Sequence, residues 1–306
     1  MRNALCDTLI SLYKQNRFLF MTGDLGFMAL EPLRAIMGGD FVNAGVAEQN
    51  MVSAAAGVAH TGLQTWVYSI APFAYARPFE QIRNDVCLHD LDVKIVGNGG
   101  GYAYGYMGAT HHAIEDYGVM AALQNMICHI PAFAGDVLPI ARRMQQTPGP
   151  AYLRLGRHEM PVEAVLPDYA PWRELLSGES GNIVVVGPVV GQVYQAVQSV
   201  MAKKGGSFGL WVLTELPVPE IPQGLRESIV QHPEKPLIIV EEHVAHGGVG
   251  MAICHLLAKL GASPRNFRHL HAAGYLKGSG YGTQQFHRKQ SGIDAESVEL
   301  LLGGLV

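Results

Sequence analysis

The stretch Gly39-Asp-Phe-Val-Asn-Ala-Gly-Val-Ala-Glu-Gln-Asn-Met51 places one carboxylate, Glu48, where a short apolar strand (Phe41, Val42) hands over to an alanine-rich segment of helical character. Its sequence neighbours are small and apolar and offer it no charge partner. An acid in the first turn of a helix is favoured by the helix dipole, so capping alone accounts for it locally. Any chemical reading of this acid has to come from the rest of the chain. His111 and His112 are a second candidate pair. Adjacent residues rarely point to one centre, so no metal site is expected there. Arg154 and Arg157 lie at the end of an apolar run, and guanidinium forks suit phosphate or carboxylate, although an exposed arginine forms a plain surface ion pair just as readily.

The whole chain bounds these readings. At 306 residues it is long enough for two domains with a core each. Only 16% of residues are charged and 48% are apolar, which excludes a disordered or solvating chain. A net charge of −4 without a basic cluster gives no reason to expect nucleic acid or an anionic membrane surface. No apolar run has the length of a membrane span and the N-terminus lacks a signal-peptide layout, so a cytoplasmic location is the default expectation. Cys6, Cys87, Cys128 and Cys254 are widely spaced and show no CxxC motif, which argues against zinc and against a disulfide framework.

The elements that must position the candidate groups follow from periodicity. Helices are expected near residues 3–15, 48–60, 76–89, 115–123 and 138–145, alternating with strands near 18–21, 41–43, 65–70, 93–96, 126–130 and 151–155. Residues 158–180, rich in breakers, read as a linker. The alternation then restarts, with strands near 183–186, 209–213 and 237–241, helices between them, and a glycine-rich end. The fold class is therefore α/β, in two domains of mostly parallel sheet with helices on both faces: residues 1–157 and 181–306. Ligands in such sheets sit beyond the carboxyl ends of the strands, which directs attention to loops 22–26, 43–50, 70–77, 97–112, 156–158 and 242–250.

Six motifs in register carry a family resemblance: Asn43-Ala-Gly-Val-Ala-Glu-Gln-Asn50, Tyr68-Ser-Ile-Ala-Pro-Phe73, Phe79-Glu-Gln-Ile-Arg-Asn84, Gly108-Ala-Thr-His-His-Ala-Ile-Glu-Asp116, Gly149-Pro-Ala-Tyr-Leu-Arg-Leu-Gly-Arg157 and Val240-Glu-Glu-His243. Together they resemble the C-terminal part of transketolases, with the same motif order as deoxyxylulose-phosphate synthases and 2-oxoacid dehydrogenase beta subunits. The resemblance implies thiamine diphosphate held between a pyrimidine-binding domain, here 1–157, and a diphosphate-binding domain on another subunit. Gly23-Asp24 is followed by Leu25 rather than glycine, and no Asn-Asn pair occurs, so the diphosphate and Mg2+ motif is absent. The expectation is one subunit of a split enzyme, inactive alone, that joins an N-terminal, diphosphate-binding partner as a two-plus-two heterotetramer, with the Mg2+ ligands on that partner.

The resemblance also implies roles. Glu48 is the carboxyl group that shares a proton with the cofactor's pyrimidine ring. Phe73 is the stacking aromatic, with Ile70 as an apolar contact and Asp24 and Leu25 as further cofactor-side candidates. His111 faces cofactor and substrate, with His112 the weaker choice, and Arg157 or Arg154 binds a substrate phosphate. His243 is structural or interfacial. Tyr106 and Met107 stand where transketolases carry an acidic pair that recognises the donor, and Gly99 stands where they carry a histidine. These departures leave three functions open: a transketolase-like transferase moving a two-carbon ketol or acyl unit, a 2-oxoacid-decarboxylating subunit, and a noncatalytic scaffold that keeps the fold.

Overall fold

A computed structural model of the chain describes residues 1–160, 165–275 and 281–306. Among the described residues the strands are β1 Leu19–Thr22, β2 Phe41–Asn43, β3 Thr65–Ile70, β4 Val93–Asn98, β5 Ile127–His129, β6 Ala151–Leu155, β7 Trp172–Leu176, β8 Asn182–Val186, β9 Gly209–Leu213, β10 Glu215–Leu216, β11 Pro236–Val240 and β12 Asn266–Leu270. One sheet runs β10-β5-β6-β4-β3-β1-β2 and a second β12-β11-β8-β9-β7. All pairings are parallel except those of the edge strands β10, on β5, and β7, on β9. This is the expected two-sheet α/β architecture.

Successive residues of a strand face opposite sides, and in β3 both sides are buried. Trp66 and Tyr68 pack with Phe20, Val96 and Leu153 under helices Arg2–Tyr13, Glu31–Met37 and Val137–Gln146. Val67 packs on the other side with Met21, Ile95 and Tyr152 under helix Glu48–His60 and the π-helical stretch Ile82–Cys87. That second cluster continues unbroken into Val184, Val186, Leu213 and Ile239 of the other sheet. The two sheets therefore share one core, which fixes their loops relative to each other.

The stretch 158–180 is not a plain linker. Its residues 161–164 lie outside the described residues, but Trp172–Leu176 is β7, the edge of the second sheet. Two features hid it. The register slips between Glu174 and Leu176, and the inward residue Arg173 is charged, buried only because Asp136 receives its guanidinium at 2.9 and 2.7 Å. β10 departs further, since the chain's second half lends it to the first sheet. The glycine-rich end, whose residues 276–280 lie outside the described residues, contains helices Gln284–Ser291 and Ala295–Gly303. The first starts where Thr283 accepts a hydrogen bond from the Phe286 N–H at 3.1 Å and stops at the left-handed Gly292. Its buried face is Gln284, His287 and Arg288, so it shows no apolar period. Among the described residues no helix is long and apolar enough to cross a membrane.

Candidate active site

Helix Glu48–His60 begins just beyond the end of β2, and Ala47 provides no side-chain cap. Glu48 is 3% exposed, and its carboxylate turns away from its own helix. Oε1 accepts from Ser69 Oγ at 3.1 Å and Oε2 accepts from Arg77 Nη1 at 2.8 Å. The acid thus has a charge partner, supplied 29 positions later in the chain rather than by its neighbours. Ser69 reaches it because β3 lies beside β1 and the loop after β1 passes close by. A Cβ on Gly23 would stand 3.3 Å from Glu48 Oε1 and 3.5 Å from Ser69 Oγ, so that loop is held to a residue without a side chain.

Phe73 sits in the short helix Ala71–Tyr75 that follows β3, with Arg77 one turn further on. The Arg77 guanidinium carbon lies 3.8 Å from the Phe73 ring centroid. The His111 ring meets Phe73 edge-on at 5.2 Å and Tyr104 at 5.9 Å. Thr110 Oγ1 engages His111 Nδ1 at 2.9 Å, which leaves Nε2 as the nitrogen available to a ligand. Burial pushes the His111 pKa down and the Arg77 charge lowers it further, so the ring is neutral near pH 7. Ile70 closes β3, three residues before Phe73, and is buried. Glu48, Arg77 and the tips of loop 46–50 line an open cleft of about 490 Å3.

The structure brings Glu48, Phe73 and His111 together and separates the other candidates. Arg157 lines a neighbouring pocket of about 510 Å3 with Arg2, Asn98, Tyr104 and His158. Arg154 is not available to a ligand. It is 2% exposed, donates from Nη2 to the carbonyls of Ala113 and Glu242 at 2.8 and 2.9 Å, and pairs through Nε with Asp116 at 3.0 Å. Asp24 also faces away from Glu48, since its carboxylate accepts from Asn43 Nδ2 at 2.8 Å, and Leu25 packs against the core under helix Glu31–Met37. Tyr106 and Met107 are exposed on the turn Gly105–Met107. His112 is buried, with Nε2 at 3.0 Å from the Gly105 carbonyl and its ring against Tyr102 and His287 of the second domain.

Arg77, Ser69 and Gly23 were not singled out by sequence reasoning. Arg77 and Gly23 lie in loops 70–77 and 22–26, which the strand ends point to, but no role follows for them from residue order; for Arg77 its spacing of four from Phe73 is the further signal. The motif Glu241-Glu242-His243, after β11 of the second sheet, is bonded to residues that follow β4 and precede β5 of the first. Glu241 Oε2 accepts from Tyr117 Oη, and His243 stacks on the same ring at 4.0 Å. Glu242 accepts from the Tyr102 N–H at 2.5 Å, from Gln284 Nε2 at 3.0 Å and from Arg288 Nε at 2.6 Å. Loop 99–107 is thereby tied through Glu242 to the helix Gln284–Ser291.

A buried carboxylate, an aromatic face and an imidazole lie together at the carboxyl ends of parallel strands in a doubly covered α/β protein, where ligands of such sheets sit. The chain belongs to the transketolase family: the family described as transketolase, pyrimidine binding domain, matches residues 1–163. It is 34% identical over 262 residues to one subunit of the apulose-4-phosphate transketolase of Actinobacillus succinogenes, covering 84% of this chain and 82% of that protein. The corresponding protein from Phocaeicola vulgatus is 30% identical, covering 84% and 83%. A solved structure described as a split gene transketolase, inactive beta4 tetramer, is 27% identical with a TM-score of 0.81, over 99% of this chain and 97% of that one.

Proposed function

We propose that the chain is the pyrimidine-binding subunit of a two-subunit, thiamine diphosphate-dependent transketolase that moves a two-carbon ketol or acyl unit to a sugar or aldehyde acceptor. The observation that carries the reading is Glu48, a buried carboxylate open to a cleft within reach of an aromatic face and a neutral histidine. The site fits the cofactor's aminopyrimidine. A planar guanidinium already lies at stacking distance over Phe73 with an N–H on Glu48, so a flat heterocycle with a nitrogen edge has both partners in place. Thiamine diphosphate, when bound, supplies an acidic ring carbon that becomes the nucleophile. Glu48 holds a proton at the pyrimidine nitrogen, Phe73 and Ile70 keep water from the ring, and His111 Nε2 hydrogen-bonds or relays a proton to the substrate oxygen.

A partner is part of the reading. Gly23-Asp24 is followed by Leu25 and no Asn-Asn pair occurs, so in this reading Mg2+ and the diphosphate fall to an N-terminal, diphosphate-binding subunit. Phe27, Met28, Val46, Tyr106 and Met107 expose apolar surface around the strand ends, as a subunit face would. The structural relative described as an inactive beta4 tetramer supports self-association without activity; the two-plus-two assembly with the partner is part of the proposal.

Two relatives are named for apulose-4-phosphate, which favours a ketose phosphate donor with its phosphate on Arg157. A second reading, a 2-oxoacid donor, draws on Gly99. Its φ is +81° and the Tyr104 ring fills the space a side chain there would need, so the histidine that transketolases place at this point has no substitute in kind. The experiment mixes the chain with its partner, thiamine diphosphate and Mg2+, and follows transfer from a ketose phosphate against carbon dioxide from pyruvate. Transfer from the ketose phosphate only in the presence of both subunits is expected. Turnover by the chain alone, or by neither donor, overturns the proposal. Arg157→Ala is expected to raise KM for the phosphorylated donor by about 10- to 100-fold, the loss of one charge-assisted contact, with kcat nearly unchanged. An equal effect on an unphosphorylated donor would refute the assignment.

A further inference from the structure

The half-site already holds one of the chain's own side chains where the aminopyrimidine is proposed to bind. Arg77 lies 3.8 Å from the Phe73 centroid and donates to Glu48 Oε2 at 2.8 Å. A planar group stacked on Phe73 and bonded through a nitrogen edge to Glu48 describes both this guanidinium and a bound aminopyrimidine. A pyrimidine that bonds the Glu48 carboxyl and stacks on Phe73 where the guanidinium lies would displace Arg77 from both. Arg77 is also free to leave. Its side chain is 41% exposed while that of Glu48 is 2% exposed, and it forms one wall of the open cleft beside Gln49 and Asn50. Its withdrawal strands no buried charge of its own, because the guanidinium goes to water.

We propose that Arg77 is a displaceable stand-in for the cofactor's pyrimidine, occupying Glu48 and Phe73 in the cofactor-free subunit and yielding both when the cofactor enters. This rests on the reading of Glu48 as the cofactor-facing carboxylate. The physical consequence is a lowered apparent affinity: only the fraction of subunits with Arg77 swung out can take the cofactor, and Kd rises in inverse proportion to that fraction. The benefit to the free subunit is that the buried Glu48 carboxyl keeps a hydrogen-bonded partner for as long as Arg77 stays in place. A purely structural ion pair would instead make Arg77 neutral or helpful to cofactor binding.

The test is calorimetric titration of thiamine diphosphate, with saturating Mg2+, into the full chain assembled with its partner subunit. Arg77→Ala is expected to bind the cofactor roughly tenfold more tightly than wild type, about 1.4 kcal/mol. Arg77→Lys, which keeps a charge for Glu48 but no planar face for Phe73, should fall between the two. Equal or weaker binding by Arg77→Ala overturns the proposal while leaving the cofactor reading intact. If that variant fails to assemble, Arg77→Lys decides, and binding no tighter than wild type overturns it. Absence of saturable binding by the wild-type complex overturns the Glu48 reading and this proposal with it.

Discussion

Glu48→Ala is expected to remove turnover from the assembled enzyme by about 10²- to 10⁴-fold, the span typical of a lost proton-transferring group, while leaving the fold in place. The two halves of this expectation come from different parts of the site. Activity depends on a carboxyl group at one point, between Ser69 and the cleft, and among the described residues no other acid lines that cleft; Asp24 is turned onto Asn43. Stability does not depend on it to the same degree. Its ionic partner Arg77 is substantially exposed, so truncating the acid leaves no buried cation, and alanine is well suited to a helical position. Steady-state rates of the reconstituted complex, with a thermal melt of the same sample, check both halves. A variant that keeps wild-type turnover, or one that loses activity only because it unfolds, would remove Glu48 from the chemistry.

Glu242→Ala should have the largest effect on stability, about 3–5 kcal/mol. Its carboxylate is buried and serves Tyr102, Gln284 and Arg288 together, and Arg288 is itself 1% exposed. Removing the acid strands a buried guanidinium, which costs far more than the net worth of the pair. The damage should also reach the site, because Glu242 holds the Tyr102 backbone and with it the loop carrying Tyr104 to His111. Gly101, at φ +63°, allows that close approach, since a Cβ there would collide with the Glu242 carboxylate. The measurement is the denaturation midpoint of the single variant and of Glu242→Leu with Arg288→Met, which replaces the whole pair by apolar groups and should recover most of the loss. A single variant that melts with the wild type would show that the domains are held by the shared apolar core alone.

Much of the architecture was legible in local pattern. β2, β3, β6 and β9 and the helix from Glu48 to His60 fall at the residues where apolar period and small-residue content put them. Among the segments that escaped notice, two have polar buried faces: β7 with Arg173, and the helix with Gln284, His287 and Arg288. Their apolar signal is missing because distant groups, Asp136 and Glu242, make burial of the charge tolerable. The helices Glu31–Met37 and Ala295–Gly303 bury only short apolar sets, Leu33 with Met37 and Val298 with Leu302, too few to stand out as a period.

The same division runs through the site. Residue order alone establishes that Glu48 stands at a strand-to-helix junction, that Phe73 and His111 follow strand ends, and which family the motifs resemble, because backbone period and short spacings are local properties. What each charge does emerges only from the folded chain. Arg154 and Arg157 are three residues apart and alike in type. One is on β6, held by Asp116 and two carbonyls, and the other lies past the strand end in an open pocket. Arg77 is an ordinary loop arginine until the fold carries it onto Glu48 and Phe73. A charge's role is set by burial and by the counter-charge within a few ångströms, and the fold assembles both from residues far apart in the chain.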